Sequence, residues 1–193
     1  QTAINTLGST YVAAVGAGSK LFQLLCCPFD ALGSTMSVYS GQNAGACAFS
    51  RLRRGLWDSS LIGLVYSIVA FAAMLLFAPQ CTMLFLDPEE ENLTQLVQLT
   101  SQYIRVLSAF FFPLALVNCL RFSIQGMGFS VPAMSAGLLE LAGRAAVALA
   151  FVPVFGYSAA CYASPVAWIL ADLFLIPGSI LCVKTLEKRQ KAA

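Results

Sequence analysis

The chain has 193 residues, 59% of them hydrophobic and only 10% charged, with a formal net charge of +2 and a mean hydropathy of +0.78. Soluble domains carry about 25% charged residues, so this chain cannot clothe a water-facing surface and is expected to be an integral membrane protein, with room for about five spanning helices. It contains no His, which excludes Ser-His-Asp and Cys-His catalysis and His-bound metal, and its weak charge gives no reason to expect a nucleic-acid partner.

The expected fold is an all-α membrane bundle forming a single transmembrane domain over 1–193. Residues 1–8, QTAINTLG, read as the end of a truncated helix stopping at a C-cap glycine, Gly8, and Gln1 with no basic stretch behind it is not a signal peptide. The chain is thus expected to begin inside something larger. Helix A is expected over about 11–46, after Ser9-Thr10 as N-caps. Arg51, Arg53 and Arg54 follow as a basic loop. Helix B is expected over about 56–86, then an acidic turn at Asp87, Pro88, Glu89, Glu90 and Glu91. Helix C covers about 93–126. The breakers Gly126, Gly128 and Pro132 separate it from helix D, about 132–154. A Gly/Ser/Tyr turn over 156–164 leads to helix E, about 165–186, with Pro165 at its first turn. Pro28, Pro79, Pro113, Pro153 and Pro177 fall within these helices, where neighbours can satisfy the freed carbonyls.

Charge fixes one orientation. The Arg51–Arg54 loop, the link after Arg121 and the tail with Lys184, Lys188, Arg189 and Lys191 fall on one side, read as cytoplasmic by the positive-inside rule. The acidic turn and the uncharged 156–164 segment fall on the other. Seven scattered Cys, with no CxxC pair, indicate neither a disulfide framework nor a zinc site; they read as small apolar residues.

Helix A carries the most information. Lys20, Gln23, Cys27, Asp30, Ser34, Ser37 and Gly41 recur at intervals of three and four, one continuous polar or small stripe. Leu21, Leu25, Leu32 and Val38 lie on the other face. Lys20 and Asp30 are ten residues, about 15 Å, apart along the axis and cannot pair. Each needs water or other partners, because a charge in hydrocarbon costs several kcal/mol. The stripe either lines a polar pathway or packs against other polar groups. Gly33, Ser37, Gly41 and Gly45 form a small-xxx-small ridge for close helix approach. Gln42 and Asn43, off the ridge, could cap, bridge helices or touch a solute. On helix D, Glu140 and Arg144 are i,i+4 with Glu first, a buried ion pair for coupling or for packing. Asp172, mid-helix E, has no cation within a turn and is a candidate for binding a proton or cation. Arg105 and Arg121 are expected to snorkel, or to pair with the acidic turn or lipid phosphates.

The chain resembles the multidrug and toxic compound extrusion (MATE) family. The resemblance rests on Gln1–Gly8 and Val12-Ala13-Ala14, on Pro28, and on Gly41-Gln42-Asn43-Ala44-Gly45-Ala46 with Arg51 and Gly55. It continues through Leu120-Arg121, Gln125-Gly126-Met127-Gly128, Glu140, Arg144, Phe155-Gly156, Ala163-Ser164-Pro165 and Trp168. It looks closest to the bacterial DinF-like branch. Such transporters have twelve helices in two halves, and the resemblance implies that helices A to E are the eighth to twelfth. It further implies a non-enzymatic antiporter in the plasma membrane, its C-terminus cytoplasmic, exporting organic and often cationic solutes as Na+ or H+ enters. No cofactor beyond that coupling ion is implied. The implied partners are the lipid bilayer, small organic solutes and a first six-helix half. The chain departs from members that hold a cation on the seventh and tenth helices, because helix C has no Asp or Glu from Leu93 to Gly126. Two other readings fit the same residues. One is a related flippase of lipid-linked or polysaccharide substrates, against which stands the presence of only Lys20 and Arg144 as deep cations. The other is a non-transporting membrane subunit or fragment.

Overall fold

A computed structural model describes residues 8–86 and 92–192. The acidic turn at 87–91 and the helix end proposed for residues 1–7 lie outside the described residues. Those described form six helices: α1 Ser9–Gly45, α2 Phe49–Met83, α3 Leu93–Ala109, α4 Phe111–Gly126, α5 Ser130–Ala150 and α6 Val152–Ala192. Four are long and apolar enough to cross a membrane, and a fifth span arises if α3 and α4 are taken as one bent crossing.

Helix ends depart from the sequence reading for identifiable reasons. Ser9 and Thr10 are already helical, and Gly8 takes the cap position at φ 116, a conformation that suits glycine. Between α1 and α2 only residues 46–48 intervene, so Arg51, Arg53 and Arg54 sit in the first turns of α2 rather than in a loop. Arginine is a good helix former. The predicted helix C is two helices bent by 53°. The break follows from Pro113, whose ring clashes with the carbonyl four residues earlier. That residue is Ala109, the last of α3, and Phe110 turns the corner at φ −110, ψ 21.

The turn expected over 156–164 shrinks to a kink at its first residue, and Pro165 lies inside α6 rather than at its start. Only Gly156 leaves the helix, at φ 59 and ψ −138. The Ala-rich stretch behind it stays helical, in keeping with Ala's propensity and with the need to bond backbone groups internally in lipid. Pro153, expected in the fourth helix, falls in the first turn of α6 because α5 stops at Ala150. The tail beyond 186 remains helical, with Arg189 and Lys191 in the last turn, where cations suit the helix dipole.

The core is an aromatic chain threaded through the bend. Trp168 of α6 stacks on Phe22 of α1 at 5.8 Å. Phe22 meets Phe111 at 6.0 Å, Phe111 meets Phe29 edge-on at 5.5 Å, and Phe29 meets Tyr66 of α2 edge-on at 5.0 Å. Centroid distances in this range are those of favourable aromatic pairs. The Tyr66 hydroxyl donates to the Leu25 carbonyl at 2.9 Å. Turning the chain at Phe110 is what brings Phe111 into this line.

The small-residue ridge of α1 faces α4, as its spacing requires. A Cβ on Gly33 would sit 2.7 Å from the Phe122 ring, and one on Gly41 3.0 Å from the Gly126 carbonyl oxygen. A Cβ on Gly126 would strike the Ser37 carbonyl. Gly45, by contrast, is open, with nothing within 4 Å. Basic segments meet at one end of the bundle. Arg53 pairs with Glu187 at 2.7 Å, and the Arg189 guanidinium lies 5.8 Å from the Phe129 ring. The α1–α2 link, the α4–α5 link and the end of α6 therefore share a side.

Gly126→Ala is expected to lower thermal stability in detergent by about 1–3 kcal/mol, the cost of overpacking a tight seam. Gly45→Ala should stay within about 0.5 kcal/mol. Equal melting temperatures for both variants would contradict the seam.

Candidate functional site

The polar stripe of α1 divides in two. Lys20, Gln23, Cys27, Asp30 and Ser34 are exposed, whereas Ser37 and Gly41 turn into the α4 seam. Leu21 on the far side is buried at 3% exposure, but Val38 is 62% exposed and does not belong to the buried face. The exposed part of the stripe is continued by α4. Asn118 Nδ2 lies 3.5 Å from Asp30 Oδ1, and Gln125 is exposed two turns further on. Asn118 was not singled out in the sequence, since no periodicity in α4 announces a partner for a residue on α1. Asp30 and Lys20 do not meet. Gln42 is exposed, while Asn43 is half-buried and donates to the Tyr39 carbonyl at 2.8 Å. Tyr39 in turn donates from its hydroxyl to the Arg51 carbonyl at 3.1 Å. Tyr39 thus braces the α1–α2 corner, while the Asn43 amide is engaged within α1.

A second polar group spans α4, α5 and α6. Glu140 and Arg144 pair as their spacing predicts, Nη2 to Oε2 at 3.0 Å. Arg121, expected to snorkel or to pair elsewhere, holds its Nη2 3.0 Å from Glu140 Oε1. The charges are close, but this contact is off the hydrogen-bonding line, and Oε1 has no hydrogen bond. Gly137 makes room for the crossing, since a Cβ there would sit 2.6 Å from Arg121 Nη2. A single buried carboxylate therefore serves two guanidiniums.

Asp172 belongs to the same neighbourhood. Gly143 packs against Ala167 and Leu170, and the antiparallel register of α5 and α6 then sets Glu140 level with Ala171 and Asp172. Asp172 is 7% exposed, and its Oδ1 is buried with no hydrogen-bond partner among the described residues. Buried polar atoms are normally satisfied, and those left bare are candidates for a proton or a bound ligand.

Arg105 plays a different part from the one expected. Its partners include two backbone carbonyls of α2: Nη2 donates to Leu75 at 3.2 Å and Nε to Met74 at 3.3 Å. Leu75 is four residues before Pro79, so its carbonyl has no amide partner. Arg105 supplies the missing donors.

Glu140→Gln should destabilise the protein, because it strands two cations. The loss should fall below the roughly 3–5 kcal/mol of a fully buried pair, since Arg144 is 45% exposed. Glu140→Gln/Arg144→Gln should recover part of that loss in a thermal melt. A double variant no better than the single one would deny the shared carboxylate.

Comparison with known proteins is consistent with this bundle. The MatE family model matches residues 2–144. No curated protein sequence matches the chain. Among solved structures, a MATE transporter in the bent conformation superposes with a TM-score of 0.80 at 22% identity, over 90% of this chain and 38% of that one. An inward-facing multidrug resistance MATE transporter of the MOP superfamily gives 0.79 at 22% identity, over 90% and 39%. A MOP superfamily transporter from Pyrococcus furiosus, described as having a binding pocket of reverse polarity that suggests a different function, gives 0.75 at 22%, over 90% and 38%. The chain thus spans less than two fifths of each of these relatives. With the family model covering most of its length, the chain belongs to the MatE family.

Proposed function

We propose that the chain forms the C-terminal lobe of a cation-coupled multidrug efflux antiporter of the DinF-like branch, exporting organic and often cationic solutes by alternating access. The observation that carries this reading is the exposed stripe Lys20, Gln23, Asp30, Ser34, extended by Asn118 and Gln125 on α4. Charged groups held open at mid-helix in an otherwise apolar bundle are expensive unless they face water. In this reading the stripe is one wall of the solute pathway, and a first six-helix half supplies the opposite wall. Apolar walls with a few polar groups suit amphipathic solutes, and the Asp30 carboxylate attracts cationic ones.

Coupling is assigned to Asp172. Its bare oxygen can take up a proton or Na+, and its position level with Glu140 links that event to the α4–α5–α6 cluster. An ion that binds one state better than the other shifts the balance between them. Gln42 stands at the inner mouth. Gathering of Arg51, Arg53, Arg54, Lys184, Lys188, Arg189 and Lys191 toward one end supports a cytoplasmic C-terminus in the plasma membrane.

The test is dye efflux from vesicles containing the full-length transporter under an imposed Na+ or H+ gradient. Asp172→Asn should slow gradient-driven efflux of a fluorescent cationic dye about tenfold or more, the effect of losing one ~1.4 kcal/mol interaction. Asp30→Asn should weaken the apparent affinity for the dye while leaving coupling in place. Unchanged efflux and unchanged affinity in both variants would overturn these roles.

A further inference from the structure

We infer that the groove between α2, α4 and α6 at the basic end of the bundle is a binding site for one anionic glycerophospholipid. The groove encloses about 580 Å³. Its floor and walls are apolar, built from Leu56 of α2, Phe112, Leu116 and Leu120 of α4, and Ile176 and Ile180 of α6. From Leu120 to Phe112 it runs eight residues of helix, about 12 Å, the reach of part of an acyl chain. The two hydroxyls along it are already engaged within their own helices: Ser60 donates to the Leu56 carbonyl at 2.7 Å and Ser179 to the Ile176 carbonyl at 2.8 Å. No unmet polar group lies beneath the mouth to repel a hydrocarbon tail.

The mouth has the opposite character. Arg53 and Lys184 both line it. Arg53 keeps a side chain 58% exposed while paired with Glu187. Lys184 is exposed, and no described carboxylate lies within 4.0 Å of it. One neutralised cation and one free cation give the mouth a net positive charge. Trp57, 75% exposed, stands beside them, and tryptophan favours the headgroup boundary. On either side the surface is bare and apolar, with Leu61 53% and Leu181 63% exposed, as lipid contact demands. Cations above an acyl-sized apolar slot match a phosphate-bearing headgroup with a net negative charge.

This site is independent of the transport reading, since it needs only that the basic end lie at a membrane surface. The chain has two tryptophans, and Trp168 is 2% exposed, so Trp57 reports on the groove. The full-length transporter is reconstituted in phosphatidylcholine vesicles containing phosphatidylglycerol brominated on its acyl chains, or an equal fraction of brominated phosphatidylcholine. Trp57→Phe provides the background to subtract. Quenching of Trp57 by the anionic lipid should exceed that by the zwitterionic lipid about twofold or more. Lys184→Gln, which breaks no ion pair among the described residues, should remove most of that preference, and Arg53→Gln/Lys184→Gln should abolish it. Lys188→Gln/Lys191→Gln removes two charges from the same end outside the groove and should retain the preference. Equal quenching by both lipids in the parent, or equal loss in the Lys188/Lys191 pair, would overturn the site.

Discussion

In hydrocarbon every backbone amide and carbonyl has to find its partner within the protein, and this constraint governs the bundle. Proline is where it bites. Pro79 deprives the Leu75 carbonyl of its amide, and Arg105 reaches from α3 to fill the gap. An expensive intramembrane cation is thereby turned into a clamp between α2 and α3. Pro113 has the opposite outcome. Among the described residues no side chain repairs the conflict at Ala109, and the helix bends by 53°. The bend is used rather than tolerated, because it delivers Phe111 into the aromatic line that runs from Trp168 to Tyr66.

Periodic features were legible in the sequence. The polar stripe of α1, the glycine ridge and the Glu140–Arg144 pair all depend on separations along a single helix, which the 3.6-residue turn converts into geometry. What escaped depends on neighbouring helices. Arg144 has its partner four residues back on its own helix, whereas Arg121 crosses from α4 over Gly137 to share Glu140, a contact no spacing announces. Arg105 resembled a snorkelling residue until its carbonyl acceptors were placed beside it. The shortened turn at 156–164 has another cause. Gly156, Ser164 and Pro165 are breakers in water, but in a bundle where unbonded backbone is costly only Gly156 leaves the helix.

The ionisable groups sort by what holds them. Asp30 lies on an open wall with one long contact to Asn118, whereas Glu140 is enclosed by two guanidiniums. Asp172 is enclosed too, but its Oδ1 is left without a donor. Removing a partner from an enclosed pair is costly, and exposed groups contribute little to stability. Under the proposed function, stability should therefore respond to Glu140, and transport to Asp30, which is exposed, and to Asp172, whose Oδ1 has no described donor to lose.

At Gly126 the backbones of α1 and α4 touch with no side chain between them. A joint of that kind has no rotamers to rearrange, so it cannot slide by small repacking steps; it holds or it separates. The panel that bears Asp30 on one helix and Asn118 on the other behaves mechanically as a single stiff plate. Any change in the shape of the space in front of it has to come from what moves around the plate, since the seam itself has nothing to repack.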